Sequence, residues 1–338
     1  MVTAHRWHLG RWTASSAVAL VVDALLGDEP LRPHPVAVFG NAMMGLERRM
    51  WDDRRMAGIC YALSGIGAAA LAGTILESLP GGALAAGYAT VAGRGLWESA
   101  RAVASALESG DLTRARELLP SLVGRDPAEL SQGEIARATV ESVAENTVDG
   151  IVAPALFTAV GGAGGALVYR GINTLDSMVG YRGRYERFGW ASARVDDAAN
   201  FVPARVTAVL VAAVRPSVAR EIWDVVRRDA PLHPSPNAGV AEAAFAAALG
   251  VRLGGTSSYG GRLEERPGLG PIGAREPEVG DIEAAVRCSQ HVTVLLFGAL
   301  MAAAVSLGRH RRPLDRDRIT MATAGCGRRR DPDVEPVG

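Results

Sequence analysis

The sequence contains no lysine, because all 36 of its Lys and Arg residues are arginine. A Walker A phosphate loop is excluded, since its lysine must reach the β- and γ-phosphates. A pyridoxal-phosphate enzyme is excluded as well, since that cofactor is held as a Schiff base on lysine. Arginine is left as the cationic side chain that could bind phosphate.

Cysteine and histidine are also scarce. The three cysteines, Cys60, Cys288 and Cys326, lie far apart, and the six histidines show no HExxH spacing. Neither a disulfide framework nor a zinc site is therefore predicted. The formal net charge is zero, so no nucleic-acid partner is expected.

Aromatic residues make up only 5 % of the chain, whereas hydrophobic residues reach 48 % and glycine is abundant. Small residues let helices approach closely in lipid. Charged residues amount to 21 %, too many for a protein confined to the bilayer. Strand or hairpin patterns do not stand out. These features predict a mainly α, polytopic integral membrane protein with cytoplasmic helical segments and loops.

Two uncharged runs, 57–76 and 288–308, are long enough to cross a hydrocarbon core of about 30 Å as helices. Segment 78–93 is shorter and begins with Leu-Pro-Gly-Gly, so we expect the turn and second arm of a helical hairpin. Segment 150–169 contains Pro154 and four glycines, which predicts a broken or re-entrant helix. We expect four to five crossings; the alternative is buried helices of a soluble α-protein.

Two other apolar runs give no membrane prediction of their own. Run 12–22 ends at Asp23 and a turn, without the small-residue cleavage site of a signal peptide. Run 206–214 has only nine residues between two arginines.

Arginine clusters precede residue 57 and follow residue 308, which places both clusters in the cytoplasm by the positive-inside rule. Asp111 is expected to cap one helix, and Ser131 with Glu134 to form the capping box of another. The predicted organisation has four parts: an N-terminal membrane region 1–97, a cytoplasmic helical segment 98–149, a membrane and active-site region 150–308, and a disordered cytoplasmic tail 309–338.

Carboxylates gather where the polar chain meets the apolar segment 150–169. Glu141 and Glu145 are one helical turn apart and share a face, with Asn146 and Asp149 near the end of that helix. Carboxylates at a helix C-terminus oppose the macrodipole, so we expect a cation to face them. A solvated helix end is the alternative.

A second polar set follows at 173–205. The adjacent carboxylates Asp196 and Asp197 suit Mg²⁺, a hard cation that prefers oxygen ligands, and neighbouring arginines suit phosphate. Asp196 and Asp197 are the predicted metal ligands. The predicted cofactor-binding residues are Arg182, Arg184, Arg194, Asn146, Asn173, Asn200 and Asn237. The predicted catalytic residues are Glu145, Asp149, Asp176 and His233.

Two loops complete the candidate set. Pro234 and Pro236 stiffen a loop and would hold His233, Ser235 and Asn237 in fixed directions. The glycine-rich segment 253–261 lacks lysine and the spacing of known phosphate-binding motifs, so a plain turn is expected.

Three segments carry a resemblance to a known family: 140–154 (VESVAENTVDGIVAP), 173–181 (NTLDSMVGY) and 191–205 (ASARVDDAANFVPAR). They resemble the signatures of the CobD/CbiB family of cobalamin biosynthesis. Asp28 and Pro30, followed by His34-Pro35-Val36, fit the family's N-terminal motif. The likeness extends over about 21–307.

The resemblance implies an ATP-dependent ligase in the cell membrane. It would join (R)-1-amino-2-propanol, or its O-phosphate, to the free carboxyl of adenosylcobyric acid, and other proteins of the pathway are candidate partners. The residues agree with this chemistry, because an acyl phosphate needs a metal and positive charge to form. The proton acceptor for the amine is left open between His233 and Glu145.

Two alternatives come from other classes of protein. A membrane carrier or assembly scaffold for corrinoids would need no chemistry, and the dense acidic and arginine motifs argue against it. A prenyltransferase-like enzyme would need aspartate pairs on separate helices, and the second pair here, Asp52-Asp53, lies in an arginine-rich flank.

Overall fold

The computed structural model describes residues 2–27, 31–124, 127–181, 183–259 and 262–309. Asp28, Pro30 and Arg182, which carried predictions, lie outside these ranges. The predicted tail lies outside them from residue 310 onward.

Helices dominate the described chain, and a two-stranded hairpin interrupts them near the end. The elements are α1 Val2–Leu26, α2 Pro35–Met50, α3 Arg55–Glu77, α4 Gly82–Thr90, α5 Gly93–Glu108, α6 Leu112–Leu118, α7 Gln132–Thr147, α8 Ala153–Val179, α9 Trp190–Val214, α10 Ala219–Asp229, α11 Ala238–Leu249, β1 Leu253–Tyr259, β2 Arg262–Leu269 and α12 Val279–Arg309.

Five helical stretches in the described ranges are long and apolar enough to cross a membrane: His8–Leu26, Arg55–Glu77, Gln132–Val179, Trp190–Val214 and Val279–Arg309. The predicted runs 57–76 and 288–308 lie within α3 and α12. On α3, Leu63, Leu71 and Ile75 are exposed, as expected for side chains that face lipid. The predicted mainly α, multi-pass membrane fold is confirmed.

Two of these stretches were not predicted from the sequence, because charges divide them. Asp23 of α1 is buried, and it accepts hydrogen bonds from the backbone N–H groups of Gly93 and Arg94, each at 3.1 Å. These N–H groups open α5 and lack helical partners. In α9, the apolar run 206–214 continues a helix whose first half carries Asp196 and Asp197. Tertiary contacts thus allow both helices to carry charge.

The predicted helix starts at 111 and 131 are confirmed. The Asp111 side chain accepts the Arg114 N–H at 2.9 Å, and Ser131 forms a capping box with Glu134. The helix that Ser131 caps, α7, ends at Thr147.

The segment after α7 is a short π-helix, Val148–Val152, that runs directly into α8. Pro154 explains it: proline has no N–H to offer the carbonyl of Gly150 and clashes with that carbonyl in an α-helix. The freed Gly150 carbonyl accepts the Ala92 N–H at 2.8 Å instead. The predicted domain boundary at 149/150 therefore falls inside a continuous helical run.

The predicted break in segment 150–169 occurs at Gly162, whose φ of 58° and ψ of −143° are not helical. Glu77, at the end of α3, stabilises the break. Its Oε2 accepts the Ala163 N–H at 2.7 Å, and its Oε1 accepts the Trp12 indole N–H at 2.7 Å. One carboxylate thus joins α1, α3 and α8.

We expect Glu77→Leu to lower the free energy of unfolding by roughly 2 kcal/mol or more, because hydrogen bonds to a charged group are lost on two helices. The measurements are abundance in the membrane and thermal unfolding in detergent. Glu108→Leu is the matched control, since Glu108 is exposed at the end of α5. Equal stability of the two variants would show that Glu77 does not support the break.

The segment 78–93 forms the predicted turn, with Gly81 at a φ of 78°, but its second arm is only the nine-residue α4. Nine helical residues rise about 14 Å, too little to cross a membrane. α4 is wedged between α1 and α8: a Cβ on Gly87 would lie 3.1 Å from both Ala19 Cβ and Thr158 Cγ2. Because Gly87 has no side chain, α4 can pack this closely against both helices.

The prediction of a plain turn at 253–261 is wrong. β1 pairs antiparallel with β2, and the register shifts between Leu253 and Gly255. Gly254 and Gly255 have φ values of 83° and 88°, which other residues rarely adopt. The sequence missed the hairpin because β1 has few of the β-branched and aromatic residues that usually mark a strand.

Candidate functional site

A cavity of about 190 Å³ lies where the π-helix meets α8, α9 and the loop before α11. We call it the acidic cavity. It is lined by Glu145, Val148, Asp149, Asp176, Asp196, Asn200, Ser235, Asn237 and Ala238. Four carboxyl groups from three separate segments of the chain thus face one small space.

Amide groups orient two of these carboxylates. Asn173 Nδ2 donates to Asp149 Oδ2 at 3.1 Å, and Asn200 Nδ2 donates to Asp196 Oδ2 at 3.0 Å. The Tyr169 hydroxyl in turn donates to Asn200 Oδ1 at 2.9 Å. Asp196 and Asn200 are four residues apart on α9 and therefore share a face. The network holds both carboxylates as acceptors.

Asp196 also has an unused oxygen: its Oδ1 is buried and has no hydrogen-bond partner among the described residues. Among the described residues, no arginine lines the cavity, and crowded carboxylates out of water are costly unless a cation faces them. The described chain holds no group of three or more His, Cys, Asp or Glu residues arranged as a metal site. A bound Mg²⁺ would therefore keep several of its waters.

Two arginines approach the acidic cavity indirectly. Arg170 Nη1 donates to Asn173 Oδ1 at 3.3 Å, and Arg205 Nη1 donates to Asn237 Oδ1 at 2.8 Å. The Arg205 guanidinium also lies 3.8 Å from the centre of the Phe201 ring. Sequence reasoning missed both as site residues. The available signal was the spacing of Arg170 to Asn173, one helical turn.

Most of the sequence-predicted site residues meet in this place. Those that line the acidic cavity are Glu145, Asp149, Asp176, Asp196, Asn200 and Asn237. Asn173 lies behind Asp149 as its hydrogen-bond donor. Ser235 is a further lining residue, and its hydroxyl accepts the Asn237 and Ala238 N–H groups at 3.3 and 3.2 Å.

Asp197 and Asn146 do not line the acidic cavity. Asp197 follows Asp196 on a helix, where consecutive side chains do not face each other, and its backbone carbonyl accepts Asn237 Nδ2 at 2.8 Å. Asn146 Nδ2 bonds back to the Ser142 carbonyl in its own helix, at 2.9 Å. The predicted aspartate pair is thus divided.

The two predicted arginines that the structure describes, Arg184 and Arg194, do not line the acidic cavity. Arg184 lies 3.8 Å from Glu47 and 4.9 Å from the Trp51 ring centre, which directs it toward α2. Arg194 is exposed on the first half of α9. Arg182 lies outside the described ranges.

His233 lies on the other side of the loop that carries Ser235 and Asn237. It lines a separate, mainly apolar cavity of about 390 Å³ together with Arg205 and Trp223. Its Nδ1 lies 3.1 Å from the Ser235 N–H, and burial lowers the pKa of His233. The structure therefore does not bring His233 into the acidic cavity.

Residues 16–289 match the family model described as CobD/Cbib protein. The chain belongs to the CobD/CbiB family. Three relatives are named cobalamin biosynthesis protein CobD. The protein of Mycobacterium tuberculosis H37Rv is 47 % identical over 306 residues, covering 88 % of this chain and 96 % of the relative. That of Geobacter metallireducens is 44 % identical over 268 residues, covering 75 % and 84 %.

The third relative, from Brucella anthropi, is 37 % identical over 314 residues, covering 86 % of this chain and 96 % of its own. No solved structure gives a significant match. The three segments with family signatures, 140–154, 173–181 and 191–205, each contribute a carboxylate to the acidic cavity. The family resemblance and the cavity therefore concern the same residues.

Proposed function

We propose that this CobD/CbiB-family protein acts in cobalamin biosynthesis as an ATP- and Mg²⁺-dependent ligase. It forms the amide between (R)-1-amino-2-propanol, or its O-phosphate, and the free carboxyl of adenosylcobyric acid. The observation that carries the proposal is the acidic cavity, where all three signature segments place carboxylates together. The names of the relatives support the pathway.

The acidic cavity fits a magnesium ion by its chemistry. Asp149, Asp176 and Asp196 offer carboxylate oxygens, and the buried Asp196 Oδ1 lacks a partner among described residues. Bound Mg²⁺ would neutralise charge on the phosphates of the nucleotide. In this proposal Asp196 replaces the Asp196–Asp197 pair as the principal ligand.

Phosphate binding falls to Arg170 and Arg205. Each guanidinium donates to an amide at the acidic cavity, Asn173 or Asn237. A planar guanidinium has further N–H donors for phosphate oxygens. This set replaces Arg184 and Arg194, whose side chains lie elsewhere.

Glu145 is the better-placed proton acceptor for the attacking amine. It lines the acidic cavity, whereas His233 lies behind the loop. A general base must come within hydrogen-bond reach of the proton that it removes. We therefore assign the proton-accepting role to Glu145 in this proposal.

The location suits an amphipathic substrate. Three of the helices that form the acidic cavity belong to membrane-spanning stretches, while the loop 233–237 joins shorter helices. We place the cavity at the cytoplasmic boundary of the cell membrane, where a large corrinoid and ATP could both reach it. The arginine clusters that flank α3 and α12 support this orientation.

The deciding experiment is an assay of the full chain in detergent with adenosylcobyric acid, aminopropanol or its phosphate, Mg²⁺ and ATP. We expect an amide product with equal release of ADP and phosphate. Corrinoid binding without ADP release would instead identify a carrier, the alternative from the sequence.

We expect Arg205→Ala to raise the KM for ATP about 10-fold, the effect of losing one charge-assisted hydrogen bond. Arg184→Ala is the matched control, because Arg184 contacts Glu47 and Trp51 instead. The measurement is the KM for ATP, with membrane abundance of both variants. A normal KM for ATP in Arg205→Ala would show that Arg205 does not bind the nucleotide.

A further inference from the structure

A second group of charged side chains lies directly behind the acidic cavity. At its centre is Glu242 of α11, whose exposed fraction is 0 %. It faces Glu141 and Glu145 of α7, Arg266 of β2 and His233 of the preceding loop. Neither carboxyl oxygen of Glu242 receives a hydrogen bond from a described residue.

This group has too little positive charge for three ionised carboxylates. Glu141 Oε1 accepts the Gly254 N–H at 2.8 Å. Burial raises the pKa of Glu242 well above its usual range and lowers the pKa of His233. The contact of 3.6 Å between His233 Nε2 and Glu242 Oε1 is therefore a contact between two neutral groups.

Glu145 connects this group to the acidic cavity. Its side chain lines the cavity and lies within hydrogen-bond reach of Glu242. An ionised carboxylate can only accept hydrogen bonds, so a hydrogen bond between these two carboxyl groups requires that one of them carry a proton. Because Glu242 is the more deeply buried of the two, it keeps the proton.

We propose that protonated Glu242 is a positioning residue that donates a hydrogen bond to Glu145 and holds that carboxylate ready to accept a proton. This inference rests on the proposed function. As the amine nitrogen attacks the activated acyl carbon, the C–N bond forms and phosphate leaves. The proton released from nitrogen goes to Glu145, while Glu242 retains its own.

The matched variants are Glu242→Gln and Glu242→Leu. The glutamine amide still donates a hydrogen bond to Glu145, whereas leucine does not. If Glu242 were an ionised partner of Arg266 or His233, both variants would be equally damaging. Membrane abundance of both variants is measured in parallel, so that a loss of folded protein is separated from a loss of activity per molecule.

For Glu242→Leu we expect a 10- to 100-fold lower kcat, roughly the loss seen when an outer partner of a functional group is removed. Glu242→Gln should recover most of the kcat, because its amide can still donate a hydrogen bond to Glu145. Glu108→Gln, an exposed site far along α5, serves as the control.

Infrared spectra of the full chain test the same point without any turnover. The C=O stretch of a protonated carboxyl, sensitive to D₂O, should be lost in Glu242→Gln and shifted in Glu145→Gln. Absence of that band in the wild type would overturn the inference, as would equal kcat loss in Gln and Leu. If the band is present but no ligase activity is found, the proposed function fails and the protonated Glu242 stands.

Discussion

Asp196→Asn is expected to lower ligase turnover by about 100-fold or more, since even partners outside the metal's own ligand shell contribute 10- to 100-fold. Asparagine keeps the shape and removes the charge beside the oxygen that has no hydrogen-bond donor in the described chain. The measurements are turnover over a range of Mg²⁺ concentrations and membrane abundance. High Mg²⁺ should restore part of the activity.

Asp197→Asn is the matched control for this experiment. Asp197 does not line the acidic cavity, and its backbone carbonyl accepts a hydrogen bond from Asn237 Nδ2 of the loop. Its variant should therefore stay close to the wild type at every Mg²⁺ concentration. An equal loss of turnover in both variants would support the sequence prediction that Asp196 and Asp197 both bind the metal. Near-normal activity of Asp196→Asn at low Mg²⁺ would show that Asp196 does not bind the metal.

Asp149→Asn is expected to lower turnover by a similar factor, about 100-fold, because it removes the charge of a second carboxylate proposed to hold Mg²⁺. Asp149 lines the acidic cavity and receives the Asn173 amide at 3.1 Å. The side-chain oxygen of asparagine could accept the same hydrogen bond from Asn173, so the variant should still fold. The measurement is product formed per molecule of protein in the membrane.

Asn146→Ala distinguishes a site role from a structural one. Asn146 is three residues before Asp149, but its amide bonds to the Ser142 carbonyl on the same helix. We expect normal activity per molecule, with at most a lower abundance. Lost activity at normal abundance in Asn146→Ala would show that substrate reorganises this helix. Lost abundance with normal specific activity in Asp149→Asn would make Asp149 a structural residue.

The position of Asp149 depends on a local irregularity that has a clear cause. Pro154 disrupts α-helical hydrogen bonding, and the π-helix 148–152 absorbs the extra residue. Such π-bulges often occur at functional sites, because they redirect side chains within a helix. Here the bulge carries Asp149 beside Asn173 of α8, 24 positions later in the chain.

Local patterns were enough to predict much of the helical structure. Uncharged runs predicted α3 and α12, and the Ser131 and Glu134 spacing predicted the start of α7, because length and capping are local properties. Residues 78–93 and 253–261 were misjudged for the opposite reason. The short α4 is held by close packing on α1 and α8, and the β hairpin by pairing between strands that lack strand-like composition.

The sequence by itself determined the family, the multi-pass helical class and the segments that carry the acidic residues. Those properties follow from composition, run length and motifs, which do not require knowledge of distant contacts. Only the tertiary structure decided which carboxylates meet. It separated Asp196 from Asp197, turned Arg184 toward Glu47, and placed Glu242 against Glu145, almost 100 residues earlier in the chain. Side-chain direction and long-range packing produce these results, and one-dimensional spacing encodes neither of them.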